Sequence, residues 1–144
     1  MSVKNTVELN ILSNVQSLPI VRAAVEQTAT TEGFSKEEAH SLCLAIDEAL
    51  ANVIRHGYDG REDQPITIKL SPVTSPDGRE GIAVEVRDKG RQVDPGTIQS
   101  RSLDEPRAGG LGVHIIRTVM DECDYSCPAE GGMLLRMVKY LAQS

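Results

Sequence analysis

Glu48 and Asn52 are the residues of this chain whose types and spacing point most directly to chemistry. They stand four apart in the run Glu48-Ala49-Leu50-Ala51-Asn52-Val53-Ile54-Arg55-His56-Gly57-Tyr58, and that spacing stacks side chains one turn apart on a single helix face. Asparagine inside a helix is a poor choice for stability, because its amide competes with the backbone for hydrogen bonds. A carboxylate able to take a proton, beside an amide oxygen able to hold a hard cation, supplies two parts of a phosphoryl-transfer site. The competing reading is an ordinary solvated helix face, and this pair alone does not decide between the two.

At about 100° per residue, Glu48, Asn52, Arg55 and His56 share one polar stripe opposite Ile46, Leu50 and Val53. Arg55 and His56 could approach phosphates from there, while His56 could equally serve the helix C-terminus, where cationic side chains interact well with the dipole. Asp47 is a rival carboxylate, but it lies about 100° around the helix from Glu48 and about 140° from Asn52.

Two further motifs carry chemistry. Asp88-Lys89-Gly90 directly follows a predicted strand; an acid at a strand end can accept from an exocyclic amino group, and Gly90 lets a flat ring approach the backbone. Gly109-Gly110-Leu111-Gly112 opens a late helix, where backbone N–H groups and the helix terminus favour an anion. Taken singly, an Asp after a strand is usually a turn or cap residue, and a glycine run is often a plain loop. The run is neither a Walker loop nor a dinucleotide fingerprint. The sequence also lacks the His-Arg-Asp and Asp-Phe-Gly signatures of ordinary protein kinases.

The elements that must hold these motifs are legible from periodicity. Val7, Leu9 and Ile11 alternate as a half-buried strand, and Pro19 stands near the start of a helix that ends at Gly33. Ser35-Lys36-Glu37-Glu38 is a capping box, and Ala39, Leu42, Cys43, Ile46, Ala49, Leu50 and Val53 follow at helical spacing to about His56, with Gly57 as the stop. Ile66–Leu70 and Ile82–Val86 read as hairpin strands around the turn Ser75-Pro76-Asp77-Gly78. From Asp88 to Gly112 periodicity fades, and a loop of that length with chemistry at both ends reads as a lid. A short helix around Leu111–Met120, a strand, a turn at Pro128–Gly132 and a last strand through Val138 complete an α+β two-layer sandwich.

The whole chain is 144 residues with 40% apolar and 25% charged residues, a composition that fits one globular domain. A net charge of −6 with scattered basic residues argues against a nucleic-acid binder. No apolar stretch approaches a membrane span, and the first residues lack the pattern of a signal peptide, so the expected location is cytoplasmic. Three cysteines fit reduced thiols there. Cys43 reads as core, and Cys123 with Cys127 lacks the second pair that a tetrahedral metal site needs.

In this order the motifs resemble the GHKL (histidine-kinase-like) ATPase superfamily, and within it the small anti-sigma factors with serine-protein kinase activity of the RsbW and SpoIIAB type. Glu48 to Tyr58 matches the N box, Asp88-x-Gly90 followed by Val93-Asp94-Pro95 resembles the G1 box, and Gly109-Gly110-Leu111-Gly112-Val113 matches the G2 box. The similarity spans essentially the whole chain, residues 1–144. It implies a Bergerat-type fold with a mixed, largely antiparallel sheet backed by helices, and ATP held between helices and lid. Glu48 would then act as base and Asn52 would hold Mg²⁺. Asp88 would read adenine, the backbone from Gly109 through Gly110, Leu111 and Gly112 to Val113 would hold phosphates, and Arg55, His56, Gly90 and Val93 would complete the nucleotide site. Two departures stand out: Gln92 replaces a third glycine, which would narrow the adenine approach, and Leu134 stands where relatives carry a threonine near adenine. Arg101 and Arg107 flank the lid.

The function that the resemblance implies is an ATP-dependent serine/threonine kinase that phosphorylates a STAS-domain antagonist and sequesters a sigma factor, as a homodimer. The alternative is an ATP-gated binding protein with negligible transfer. A detached half of a histidine kinase is disfavoured, because no helical segment with a phosphoacceptor His precedes the domain.

Overall fold

The computed structural model describes residues 5–92 and 110–142, with residues 110–114 described by their backbone alone. The elements are β1 (Val7–Leu12), a 3-10 turn (Val15–Ser17), α1 (Leu18–Thr31), α2 (Lys36–Asn52), a π-helical turn (Val53–Gly57), β2 (Pro65–Thr74), β3 (Glu80–Asp88), α3 (Gly110–Val119), β4 (Glu122–Ser126) and β5 (Leu134–Tyr140). The strands form one sheet in the order β1-β2-β3-β5-β4. The resemblance implied a mixed, largely antiparallel sheet, and each of the four pairings described here is antiparallel.

The sheet is one-sided because its strands alternate. Ile66, Ile68 and Leu70 of β2, Val84 and Val86 of β3, and Leu135 and Met137 of β5 bury against Val21 and Val25 of α1, Leu42, Ile46 and Leu50 of α2, and Ile116 of α3. Each such side chain taken out of water contributes roughly 1.5–3 kcal/mol, which locks the helices onto this face. On the other face Glu8, Lys69, Glu85, Arg136 and Asp124 are neighbours in register, a row of alternating charge across all five strands. Pairs of opposite sign side by side suit a solvated face.

The capping box forms as the sequence indicates: Ser35 Oγ accepts from the Glu38 N–H at 3.1 Å and Glu38 Oε1 accepts from the Ser35 N–H at 3.1 Å. That fixes the start of α2, and therefore the phase of every side chain along it. β2 runs further than the alternation alone indicated, through Pro72, which pairs with Ile82 of β3. β1 pairs with β2 only as far as Leu70, so the missing proline N–H faces an unpaired edge. Val7, where β1 begins, and Tyr140, where β5 ends, lie toward the same end of the sheet, and Asp88 and Pro65 lie at the other. Among the described residues no helix is long and apolar enough to cross a membrane.

Candidate functional site

The last two turns of α2 carry Glu48 and Asn52 as their spacing requires. Among the described residues no hydrogen bond or ion pair engages Glu48, whereas its rival Asp47 is taken: the Arg22 Nε of α1 lies 2.9 Å from Asp47 Oδ2 and donates to Oδ1 at 3.1 Å. Asp47 thus joins α1 to α2, and the carboxylate left for other work is Glu48. The Oδ1 of Asn52 is buried and has no hydrogen-bond partner among the described residues. A buried acceptor without a partner costs about 1–3 kcal/mol. An oxygen held in that state beside an uncommitted carboxylate fits the donor set that a hard cation takes.

Beyond Asn52 the helix does not continue regularly to His56. It widens into one π turn, closed by the Tyr58 N–H donating to the Val53 carbonyl at 3.0 Å. The wider turn breaks the 100° progression that set Arg55 and His56 on the stripe of Glu48; Arg55 is exposed and His56 half-buried. Gly57 closes the π turn and is not the left-handed cap, a role taken by Asp59 and Gly60.

The widened end carries the helix directly to Asp88. A Cβ on Gly57 would sit 3.8 to 3.9 Å from the Asp88 carboxylate, and a Cβ on Gly90 would run into the Gly57 carbonyl oxygen. The small size of Gly90 therefore serves the approach of two backbone segments. Asp88, the last residue of β3, is 4% exposed. Its Oδ1 accepts from the Gly90 N–H at 2.8 Å and the Met133 N–H at 3.3 Å, and Oδ2 has no hydrogen-bond partner among the described residues. Burial pushes the carboxyl pKa up, and the Gly90 and Met133 N–H groups oppose that rise. Gly132 adopts φ +74°, where a Cβ would collide with the Asp88 carbonyl.

Two residues that the sequence left without a role fix this end. Tyr58 is 1% exposed; its hydroxyl donates to the Pro65 carbonyl at 2.5 Å and accepts from the Lys89 N–H at 2.6 Å. It ties together the helix end, the start of β2 and the exit of β3, and the Gly-Tyr dipeptide after a helix was its signal. Met133 pairs with Asp88 across the strand exits, its carbonyl accepting from the Asp88 N–H at 3.0 Å. This corrects the expectation for Leu134, which lies opposite Arg87 and Ser126 on the outer face of the sheet. A shift of one residue along a strand changes the face, and the site-side position belongs to Met133. The Gln92 amide donates to the Pro128 carbonyl at 2.9 Å, in the β4–β5 turn.

The glycine run opens a helix as expected, since Gly110, Leu111, Gly112 and Val113 form the first turn of α3, which packs along α2. First-turn N–H groups have no partner within a helix, and such a terminus suits an anion. Val93, Arg101, Arg107 and Gly109 lie outside the described residues. Cys43 is buried, Cys123 half-buried and Cys127 exposed, and among the described residues no cluster of His, Cys, Asp and Glu is placed to hold a metal ion. The arrangement can thus combine a hydrogen-bond acceptor at a strand exit, a base and an amide ligand on one helix, and an anion-binding helix start. Those are the parts that positioning and charge stabilisation of a phosphoryl group require.

Comparison with known proteins agrees with this geometry. Residues 11–139 match the model of the histidine kinase-like ATPase domain. The anti-sigma F factor of Thermoanaerobacter sp. (strain X514) is 30% identical over 146 residues, covering 98% of this chain and 97% of that one. The serine-protein kinase RsbW of Bacillus pumilus (strain SAFR-032) is 28% identical over 143 residues, covering 94% of this chain and 85% of that one. Among solved structures, the SiaB-SiaC complex from Pseudomonas aeruginosa has a chain of the same fold, with a TM-score of 0.66 at 17% identity over 92% of this chain and 88% of that one. The chain belongs to the histidine kinase-like ATPase family, in the branch that holds the anti-sigma F factors and the RsbW serine-protein kinases.

Proposed function

We propose that this protein is an ATP-dependent serine/threonine-protein kinase that phosphorylates a STAS-type antagonist and also sequesters a sigma factor, working in the cytoplasm as a single ATPase domain over residues 1–144 and as a homodimer. The observation that carries the reading is that, among the described residues, the buried Asn52 Oδ1 has no partner and neither has Glu48 one turn before it, on a helix whose end abuts Asp88. Relatives named serine-protein kinase and anti-sigma F factor support the activity and the partner class.

In this reading Asp88 Oδ2 accepts from the adenine amino group, oriented by the two N–H groups that hold Oδ1. The backbone from Gly109 to Val113 takes the phosphates, with Arg55, His56, Gly90 and Val93 also on the nucleotide. Mg²⁺, when bound at Asn52 Oδ1, would supply positive charge to the phosphate oxygens. Glu48 accepts the proton of the attacking serine hydroxyl, a contribution typically of about 10²–10⁴-fold.

The test is incubation of the protein with labelled ATP, Mg²⁺ and candidate STAS-domain proteins, with the acceptor serine mapped by mass spectrometry. Label on a single serine of one candidate is the expected result. Tight ATP-dependent binding of a candidate without transfer would leave an ATP-gated binder in its place.

A further inference from the structure

Past Asp88 the chain leaves the sheet, and its next four residues are held from two sides by contacts outside the strand ladders. On the helix side, the Arg91 N–H donates to the Gly57 carbonyl at 3.0 Å and Arg91 Nη2 donates to the His56 carbonyl at 3.1 Å. The same Nη2 lies 3.6 Å from Asp59 Oδ1. On the sheet side, Gln92 reaches Pro128. We propose that Arg91 is a positioning residue for nucleotide selection: it staples the segment that follows Asp88 to the π turn of the helix bearing Glu48 and Asn52, and so sets where the Asp88 carboxylate stands relative to that helix. The inference rests on the nucleotide-site reading above.

Three physical features support it. The last carbonyls of any helix lack intrahelical donors, and here those of His56 and Gly57 both find one in Arg91. Gly90 permits the approach, since any side chain there would strike the Gly57 carbonyl. Asp59 sits in a left-handed conformation, φ +51°, which aspartate adopts more readily than most residues, and from there its carboxylate meets the guanidinium. A planar guanidinium can serve a carbonyl and a carboxylate together, which a single ammonium does less well. Arg91 touches no reacting atom. Its effect runs through the Gly90 N–H, which lies within the stapled segment and donates to Asp88 Oδ1.

The test is calorimetric titration of the full chain with MgATP and with MgGTP, for the unchanged protein and for Arg91→Ala, Arg91→Lys and Asp88→Asn, with a thermal melt of each. Loss of one hydrogen bond of this kind corresponds to about two- to tenfold in affinity. Arg91→Ala is expected to lower the preference for ATP over GTP by that factor with little change in melting, and Arg91→Lys to recover part of it. Should Arg91→Ala fold poorly, Asp59→Ala removes the countercharge with Arg91 in place, and a smaller fall in the preference is expected. A preference unchanged in folded Arg91→Ala, while Asp88→Asn abolishes it, overturns the role of Arg91 and leaves the site reading standing. An unchanged protein that does not distinguish ATP from GTP overturns the site reading, and the staple with it.

Discussion

The two ends of the candidate site are built on opposite plans. At the strand exit, Asp88 Oδ1 takes two backbone N–H groups, Tyr58 spans two segments through its hydroxyl, and Arg91 and Gln92 fasten the departing chain. One turn up the helix, Glu48 and Asn52 Oδ1 meet no partner at all among the described residues. The first region is held by contacts within the fold, and of the buried Asp88 carboxylate only Oδ2 has no hydrogen-bond partner among the described residues. The second holds bonding capacity that no described residue uses. In the proposed reading, a reader of the base and a centre for the chemistry thus coexist within one helix and one strand, each held by different contacts.

Four substitutions would break or sharpen this contrast. Glu48→Gln keeps shape and removes the base, so phosphoryl transfer should fall by about 10²–10⁴-fold while MgATP affinity stays close to that of the parent. Single-turnover transfer near the parent rate would remove Glu48 from the mechanism. Asn52→Ala should lower MgATP affinity by about 10–100-fold, the range seen even when a metal's outer partners are lost. Calorimetry with and without Mg²⁺ checks it, and equal losses in the two series would dissociate Asn52 from the cation.

On the built end, Asp88→Asn puts an amide where adenine's amino group expects an acceptor, and the preference for ATP over GTP, about ten- to a hundredfold from one buried mismatch, should disappear. The same variant carries a pH signature. Burial raises the Asp88 pKa, so the folded chain holds that proton more tightly than the unfolded chain does. The associated stability is present below the unfolded pKa and is lost as pH rises through the folded one. Melts of Asp88→Asn from acid to neutral pH should therefore fall less than those of the parent. Tyr58→Phe, the smallest change, leaves the Lys89 N–H and the Pro65 carbonyl without their shared partner and should lower stability by about 1–3 kcal/mol, read by urea unfolding. An unchanged midpoint would mean that the strand exit does not depend on this bridge.

Much of this was legible in the sequence, and the rest fails for identifiable reasons. The capping box fixes the phase of α2, so spacing alone sets Glu48 and Asn52 on one face, and alternation marks β1, β2 and β3. The π turn could not be read, because Val53 to Gly57 carry no signal for it; the wider turn accompanies the docking of Gly90 and Arg91, more than thirty residues further on. The resemblance places Leu134 at the site one residue too far along the strand, because a motif does not carry strand register; pairing with Arg87 sets Leu134 on the outer face. Spacing sets Asp47 away from Asn52, but its engagement by Arg22 is a contact between helices that spacing on one helix does not contain.

The placement of the first and last strands has a consequence for how the domain can be joined to others. β1 enters and β5 leaves at the end of the sheet away from Asp88, so a fluorescent reporter, a surface tether or a second catalytic module joined directly to the start of β1 or the end of β5 would attach at the end opposite the strand exit that carries Asp88. A unit wired this way lends itself to shuffling between larger polypeptides, since splicing at its margins leaves the working rim untouched.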